Sequence, residues 1–216
     1  MKSIKPFWFI GLLLLLIQFS CSLPENYFPD LSNIGDTSLW TLHNRAASVS
    51  DRVVHLDVRE FDGLLWLNEY QFSNGRIELD LKGKNDPGKS FVGLAFHGLN
   101  DSTFDAVYFR PFNFENPERN GHSVQYISHP ANTWYKLRAD FPEKYENPVI
   151  PVPDPDDWFH VSILVEYPSV KVFVDDSEEP SLAVDQLSDR KKGWIGFWVG
   201  NGSEGYFRKL VVTTMK

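Results

Sequence analysis

The chain has 216 residues, of which 42% are hydrophobic and 15% aromatic, and its formal net charge at pH 7 is −8. This length suits one domain with a removable leader. An acidic chain without clustered basic and aromatic residues repels phosphate backbones, so we expect no nucleic acid among its partners. The single cysteine excludes an intramolecular disulfide, and the hydrophobic core must be sufficient without covalent cross-links.

The first 20 residues have the organisation of a signal peptide. Lys2 and Lys5 give a positive start, and the apolar run 7–17 is shorter than a comfortable membrane span. The sequence Phe19-Ser20-Cys21-Ser22 resembles the lipobox of bacterial lipoproteins, in which the cysteine is lipidated and cleavage occurs just before it. We therefore predict a signal peptide over residues 1–20, with Cys21 as the lipidated N-terminus. The protein would then be exported and anchored in the bacterial cell envelope.

Two alternatives remain open for this segment. Ordinary cleavage after Ser22 would release a secreted protein, and an uncleaved leader would act as a membrane anchor. Removal of residues 1–20 leaves 19 basic against 29 acidic residues, a net charge of −10. We predict that residues 21–38 form a short tether and that residues 39–216 form the folded domain.

From about Leu39 to Thr214, apolar and polar residues alternate with a period of two. In the segment 76–82, for example, Ile77, Leu79 and Leu81 are predicted to face a core while their neighbours face away. Similar segments are 53–58, 64–67, 92–97, 106–110, 159–165, 170–174, 194–199 and 206–213. About ten short strands, separated by turn sequences, predict an all-β fold: a two-sheet antiparallel β-sandwich.

The segment from Phe112 to Asp157 breaks this rhythm. It contains a cluster of prolines at positions 148, 151, 153 and 155, and it includes one predicted short helix at Thr133–Asp140. A long irregular segment inside a compact domain is usually functional or disordered, and the high aromatic content here argues against disorder. We predict an ordered rim or lid that packs on the sandwich.

Three stretches resemble the concanavalin A-like lectin/glucanase superfamily. They are the strand Asn74-Gly75-Arg76-Ile77-Glu78 and its continuation to residue 82, the strand with acidic turn at 170–176, and the closing hairpin at 193–198 and 206–212. Within the superfamily, the chain is most similar to the branch typified by 3-keto-disaccharide hydrolases. The resemblance implies a concanavalin A-like jelly roll. It implies less about activity, because lectins, hydrolases and adhesion modules share this sandwich.

The acidic triplet of the retaining glucanases in this superfamily is incomplete here. Those enzymes carry an E-x-D-x-E strand, and the nearest match is Glu78-Leu79-Asp80-Leu81-Lys82. A lysine in the third acidic position cannot replace a neutral carboxylic acid as proton donor. We therefore do not expect the laminarinase-type mechanism, and we interpret Glu78 and Asp80 as a solvated strand face. Whether the chain is an enzyme stays open.

The histidines and the cysteine show no spacing typical of a transition-metal site. We therefore expect no cofactor. A structural calcium ion remains open, because aspartate and backbone carbonyl ligands leave no local sequence signature.

A ligand site is predicted on the non-core face of the central strands. Gly93 and Ala95 share a face with His97 and would leave a shallow groove there. Aromatic side chains along such a groove stack on sugar rings, and arginine, histidine and amide groups bind hydroxyls. A further predicted strand, His122 to Ser128, would border this groove, and its parity leaves open whether Gln125 or Tyr126 faces the groove. The predicted substrate-binding residues are His97, Tyr108, Arg110, His122, Gln125, Tyr126, Trp134 and Trp198.

This face predicts a carbohydrate-recognition protein. One alternative is a hydrolase or lyase acting on glycosides or keto-sugars, and another is an adhesion or structural module that binds protein. In the enzymatic alternative the candidate general bases are His97, His122, Glu78 and Asp105.

A purely structural role for the site residues is also open. Tyr108 and Arg110 would then pack under the irregular segment, with Arg110 bound to an acidic residue such as Glu115 or Glu146.

Overall fold

The computed structural model describes residues 25–215, so the predicted signal peptide and the lipidation site Cys21 lie outside the described residues. The described chain forms fifteen β-strands, one α-helix and three short 3₁₀ turns. No helix in this range is long and apolar enough to span a membrane.

The strands are numbered in chain order. They are β1 (Glu25–Tyr27), β2 (Trp40–His43), β3 (Ala47–Ser50), β4 (Val53–Leu56), β5 (Gly63–Phe72), β6 (Gly75–Lys82), β7 (Val92–Asn100), β8 (Thr103–Phe109), β9 (Val124–Ser128), β10 (Glu146–Asn147), β11 (Phe159–Glu166), β12 (Ser169–Val174), β13 (Leu182–Asp185), β14 (Gly193–Val199) and β15 (Gly205–Thr214). The helix α1 spans Trp134–Asp140, and the 3₁₀ turns span Leu31–Asn33, Pro111–Asn113 and Asn120–His122.

The strands form two antiparallel sheets. The eight-stranded sheet has the order β13-β12-β11-β6-β15-β4-β3, with β1 paired along β15, and the seven-stranded sheet has the order β10-β9-β8-β7-β14-β5-β2. This arrangement confirms the predicted two-sheet β-sandwich. Part of the predicted tether, Glu25–Tyr27, is the strand that pairs with β15.

The core lies between the two sheets and is built from the predicted inward positions. Ile77, Leu79 and Leu81 on β6 are fully buried. Where the sheets meet, the ring of Phe109 packs edge-on against the ring of Phe159, with 5.2 Å between the centroids. Burying a side chain of this size contributes about 1.5–3 kcal/mol. Burial of the alternating apolar side chains therefore stabilises the packing of the two sheets.

The irregular segment is ordered and attached to the seven-stranded sheet. Helix α1 begins after Thr133, whose hydroxyl accepts a hydrogen bond from the backbone N–H of Lys136 at 3.4 Å. Leu137 of this helix is buried, and β10 extends the sheet beyond β9. The predicted helix and rim are confirmed.

The outer face of the seven-stranded sheet is covered by aromatic side chains. Gly93 lies between Tyr108 and Trp198, whose ring centroids are 4.9 Å apart, and Ala95 is fully buried. Trp66 on β5 fills the space above Gly196 of β14 and Gly98 of β7. The expectation of an open groove floored by Gly93 and Ala95 is therefore wrong, because rings fill the space that small residues leave.

Candidate functional site

A cavity of about 770 Å³ lies on the outer face of the seven-stranded sheet, and we call it the outer cavity. Its volume is within the range of small-molecule sites. The polar groups in its wall include three arginines, two histidines and one aspartate. Five aromatic residues line it: Phe91, Tyr108, Phe112, Trp134 and Trp198.

The floor of the outer cavity is one row of residues that lie side by side across five strands. Gly93 on β7 pairs with Tyr108 on β8 and with Trp198 on β14. Tyr108 pairs with Gln125 on β9, which pairs with Glu146 on β10. Paired residues in neighbouring strands point to the same face, so the whole row points outward. The row supplies two aromatic rings and, at one end, polar groups.

Arg110 lies at that end, directly after β8, and only 4% of it is exposed. Its Nη1 donates a hydrogen bond to the carbonyl oxygen of His122 at 2.8 Å, and its Nη2 donates to the hydroxyl of Tyr108 and to Oε1 of Gln125. The guanidinium carbon lies 4.7 Å from the centroid of the Tyr108 ring, a cation–π distance. These contacts fix the guanidinium group in the cavity wall.

Glu146 is buried beneath the same end and gathers three basic side chains. Arg138 of α1 donates from Nε to Oε1 at 3.0 Å and from Nη2 to Oε2 at 2.6 Å, and Nη1 of Arg110 lies 3.7 Å from Oε2. Nδ1 of His122 lies 2.9 Å from Oε1 but outside hydrogen-bond geometry. Burial raises the pKa of Glu146, but these basic groups outweigh it and lower the pKa. Glu146 is therefore ionised at neutral pH and ties α1 to β10.

Asp62 and His129 form a second titratable pair in the cavity wall. Asp62 directly precedes β5, and His129 directly follows β9. Burial raises the pKa of Asp62, and the charges of His129 and Arg45 oppose this rise only in part. Burial lowers the pKa of His129, with Asp62 opposing that change. Near neutral pH this carboxyl group keeps a proton more readily than an exposed one, and this imidazole releases a proton more readily.

Arg45 holds the backbone beneath Asp62. It is 3% exposed, and its Nη2 donates hydrogen bonds to the carbonyl oxygens of Phe61 at 2.7 Å and Gly200 at 2.9 Å. Gly63 leaves the necessary room, because a Cβ there would lie 2.3 Å from Cγ of Arg45. The loop that carries Asp62 is thereby fixed against the loop after β14.

Besides Nδ1 of His122, two buried polar atoms of the cavity wall have no hydrogen-bond partner among residues 25–215. They are Nε1 of Trp198 and Oδ1 of Asn113, whose residues are 4% and 1% exposed. An unpaired buried donor or acceptor costs about 1–3 kcal/mol. The indole of Trp198 is near enough to Asp62 to lower its pKa without completing a hydrogen bond. A hydroxyl group can pair with either kind of atom, because it both donates and accepts hydrogen bonds.

Most of the predicted site residues come together at the outer cavity. Gln125 lies beneath it, where its Oε1 accepts a hydrogen bond from the Tyr108 hydroxyl at 2.8 Å. The parity of β9 is thereby settled, with Gln125 on the outer face and Tyr126 on the core face. Five predicted residues line the cavity: Tyr108, Arg110, His122, Trp134 and Trp198.

His97 and Tyr126 do not line the outer cavity. His97 lies at a β-bulge with a φ of +49°, so it does not share a face with Gly93 and Ala95, and that prediction is wrong. Its buried ring donates from Nε2 to the carbonyl oxygen of Ser73 at 2.7 Å and accepts at Nδ1 from Gln186 at 3.1 Å. The hydroxyl of Tyr126 donates a hydrogen bond to Oδ1 of the buried Asp105, on the core side, at 2.5 Å.

Of the four candidate general bases, only His122 lines the outer cavity. Asp105 is fully buried, where it accepts hydrogen bonds from Ser188 and Arg190, and Glu78 lies on the outer face of the other sheet. Asp62 and His129 were not predicted from the sequence. The available signal was their position, since each lies one residue beyond an end of a strand in the seven-stranded sheet.

Among the residues that the structure describes, no group of three or more histidine, cysteine, aspartate or glutamate side chains is placed to hold a metal ion.

Residues 28–213 match the family model described as the 3-keto-alpha-glucoside-1,2-lyase-like domain. The chain belongs to this family. The match includes β2 to β14, β15 as far as Thr213 and every residue of the outer cavity, and it confirms the resemblance to the 3-keto-disaccharide branch. No sequence match was found among proteins of curated function.

Several solved structures share the fold of this 3-keto-alpha-glucoside-1,2-lyase-like domain. The carbohydrate-binding module CBM66 from Bacillus subtilis has a TM-score of 0.55 at 16% identity, with 81% of this chain and 95% of the module covered. A native glycosidic hydrolase has a TM-score of 0.58 at 13% identity, with coverages of 88% and 95%. The metal-free exoplasmic/lumenal domain of VIP36 has a TM-score of 0.60 at 15% identity, with 88% of this chain and 91% of that domain covered. At these identities the similarity shows the fold alone.

Proposed function

We propose that this protein binds carbohydrate in the outer cavity. The observation that carries the proposal is the floor formed by the rings of Tyr108 and Trp198, next to buried polar atoms that lack a protein partner. Sugars present C–H faces that pack on aromatic rings and hydroxyls that donate and accept hydrogen bonds. The outer cavity offers both kinds of contact in one place.

The relatives support this class of ligand. One fold neighbour is a carbohydrate-binding module, and the VIP36 domain is also known in a form bound to Ca²⁺ and mannose. The family is described by an activity on a keto-glucoside. These descriptions belong to those proteins, and they agree with the lining of the cavity in this chain.

We also propose that the protein acts at the bacterial cell envelope, anchored by a lipid on Cys21. The support is the sequence of the first 22 residues, with its positive start, apolar run and lipobox-like cysteine. Such a location would expose the outer cavity to extracellular glycans.

An array of neutral and acidic glycans tests the binding proposal. Binding to a defined set of glycans supports it. Absence of binding to every glycan, together with a stable complex with another protein, would favour an adhesion module instead.

Trp134 at the rim gives a sharper test of where the glycan binds. It is 46% exposed, so its replacement by alanine should leave the fold intact. Loss of its stacking surface is expected to weaken glycan binding about tenfold in calorimetry. Tyr135 is the matched control, because it is the next residue of α1, is 70% exposed and does not line the cavity. Equal weakening by W134A and Y135A would contradict the proposed position of the ligand.

The pair Asp62 and His129 favours a second candidate function, a lyase acting on 3-keto glycosides. Elimination across C1 and C2 of such a sugar requires removal of the C2 hydrogen as a proton and protonation of the departing C1 oxygen. Burial shifts the two pKa values in the directions that suit an acid and a base near neutral pH. The two side chains also lie in the wall of one cavity.

In this candidate reaction, neutral His129 accepts the proton from C2, the C–H electron pair forms the C1=C2 double bond, and the C1–O bond breaks. Protonated Asp62 donates its proton to the departing oxygen. The step leaves an imidazolium beside a carboxylate, whose mutual attraction stabilises that state. Proton exchange with water restores both groups.

Incubation with ordinary and 3-keto glycosides tests this candidate. We expect turnover of the 3-keto substrate only, reduced about a hundredfold by D62N or H129Q, because each removes one proton-transfer group. His160 is a suitable control, because it lies on β11 of the other sheet. Turnover that survives in D62N and H129Q, or its loss in H160Q, would contradict the assignment.

A further inference from the structure

We propose that the glycan bound in the outer cavity carries an anionic group, a carboxylate or a sulfate, that contacts the arginine end of the cavity. The inference rests on the proposed carbohydrate-binding function and specifies its substrate class.

The charge of the cavity wall is opposite to that of the protein. The whole chain has a net charge of −8, yet the wall contains Arg110, Arg119 and Arg138 and one aspartate. An acidic protein that gathers arginines in one concave site creates a local positive potential there. That potential favours an anionic ligand over a neutral one.

The arginines outnumber the carboxylates that neutralise them. Arg138 binds Glu146 with two nitrogens, whereas the nearest nitrogen of the buried Arg110 lies 3.7 Å from the same carboxylate. One glutamate therefore serves two guanidinium groups. A buried cation without its own counter-ion is costly, and a ligand anion would relieve that cost.

Arg119 adds a third cation at the exposed rim. It closes the turn that begins at Asn116, and no carboxylate within residues 25–215 lies at ion-pair distance from it. Its charge contributes, after burial and Arg138, to lowering the pKa of Arg110, which indicates that the two guanidinium groups act on the same region. Because Arg119 and Arg110 both line the outer cavity, their charges act together on an anion bound there.

The shape of the groups selects the kind of anion. Planar guanidinium groups match the two or three oxygens of a carboxylate or a sulfate. Within the described chain, Arg110 forms side-chain hydrogen bonds only through Nη1 and Nη2. The aromatic floor beside these groups accommodates the sugar ring that carries the anion.

Binding to an array of neutral, uronate-bearing and sulfated oligosaccharides tests the inference. We expect the strongest binders to be uronate-bearing or sulfated, and the class that binds identifies the anion. Their methyl-esterified or desulfated forms should bind at least about tenfold more weakly, and affinity for the acidic forms should fall as salt is raised.

Arg119→Gln supplies the matching protein variant. Because Arg119 is exposed, the variant should fold normally, and we expect about tenfold weaker binding of the acidic glycan with little change for its neutral form. Lys171→Gln removes the same charge from an exposed position on β12 of the other sheet and should change neither affinity. Equal binding of acidic and neutral forms would overturn this inference and leave carbohydrate binding standing. No binding to any glycan would overturn the proposed function itself.

Discussion

Replacing Arg110 with alanine is expected to weaken glycan binding about a thousandfold, or about 4 kcal/mol. The guanidinium group joins Tyr108, Gln125 and the carbonyl oxygen of His122, so its loss removes both a ligand contact and the support of the floor. The vacated space and the unpaired partners should also reduce the free energy of unfolding by about 3 kcal/mol. Calorimetric titration measures the first effect, and urea denaturation measures the second.

Tyr108→Phe separates these two effects. It keeps the aromatic ring packed over Gly93 but removes the hydroxyl that Arg110 contacts, so the packing of the floor is kept while the guanidinium loses one partner. We expect about a tenfold loss of affinity and a small loss of stability. An R110A protein that remains folded and binds glycan with nearly normal affinity would remove the arginine end from the site.

Glu146→Gln is expected to reduce the free energy of unfolding by about 3 kcal/mol, more than a hundredfold in the folding equilibrium. The carboxylate is 3% exposed and is the shared partner of Arg138 and Arg110. Glutamine keeps the size of the side chain but leaves two guanidinium groups without a counter-ion. Part of this cost is offset by solvent, because Arg138 remains one-third exposed.

The pH dependence of this effect has a defined sign. The folded pKa of Glu146 is lowered from its ordinary value of 4.5, so its ion pairs stabilise the fold above that value and are lost as the pH falls through the lowered pKa. E146Q should therefore lose less stability on acidification than the wild-type protein. Some dependence remains, because Asp80 and Glu204 also have lowered pKa values.

Urea denaturation at pH 7 and at several values below pH 5 measures both parts of this prediction. The control is Glu118→Gln, which removes an exposed carboxylate from the same irregular segment. It should leave the free energy of unfolding at pH 7 unchanged, because an exposed carboxylate contributes little. If E146Q matched E118Q, the buried arginine–glutamate cluster would not be a stabilising feature.

The sheets were predictable because one face of most strands is buried, and burial imposes alternation on the sequence. The predicted strand at 76–82 became β6, Gly75–Lys82, with its apolar positions in the core. The strands that were not predicted lie at sheet edges. β3 and β10 have only one neighbouring strand each and bury few side chains, so they carry little hydrophobic signal.

The candidate site was predictable only within regular strands. Tyr108 and Gln125 share a face because β8 and β9 are regular where they pair. His97 was misplaced because a non-glycine residue with positive φ gives no sign in the sequence, and a single bulge reverses the faces. Asp62 and His129 lie in loops brought together by tertiary packing, which no periodicity records.

The most direct test of the account follows the indole N–H signals of the tryptophans by NMR during titration with the best glycan from the array. Trp198 has a buried N–H without a protein partner, and Trp134 lies at the rim, so both signals should shift. The signals of Trp66, whose N–H is bound to Asp101 at 2.9 Å, and of Trp158, stacked under Arg208 on the other sheet, should stay in place. Movement of the Trp158 signal with Trp134 and Trp198 unchanged would place the ligand elsewhere and contradict the central claim.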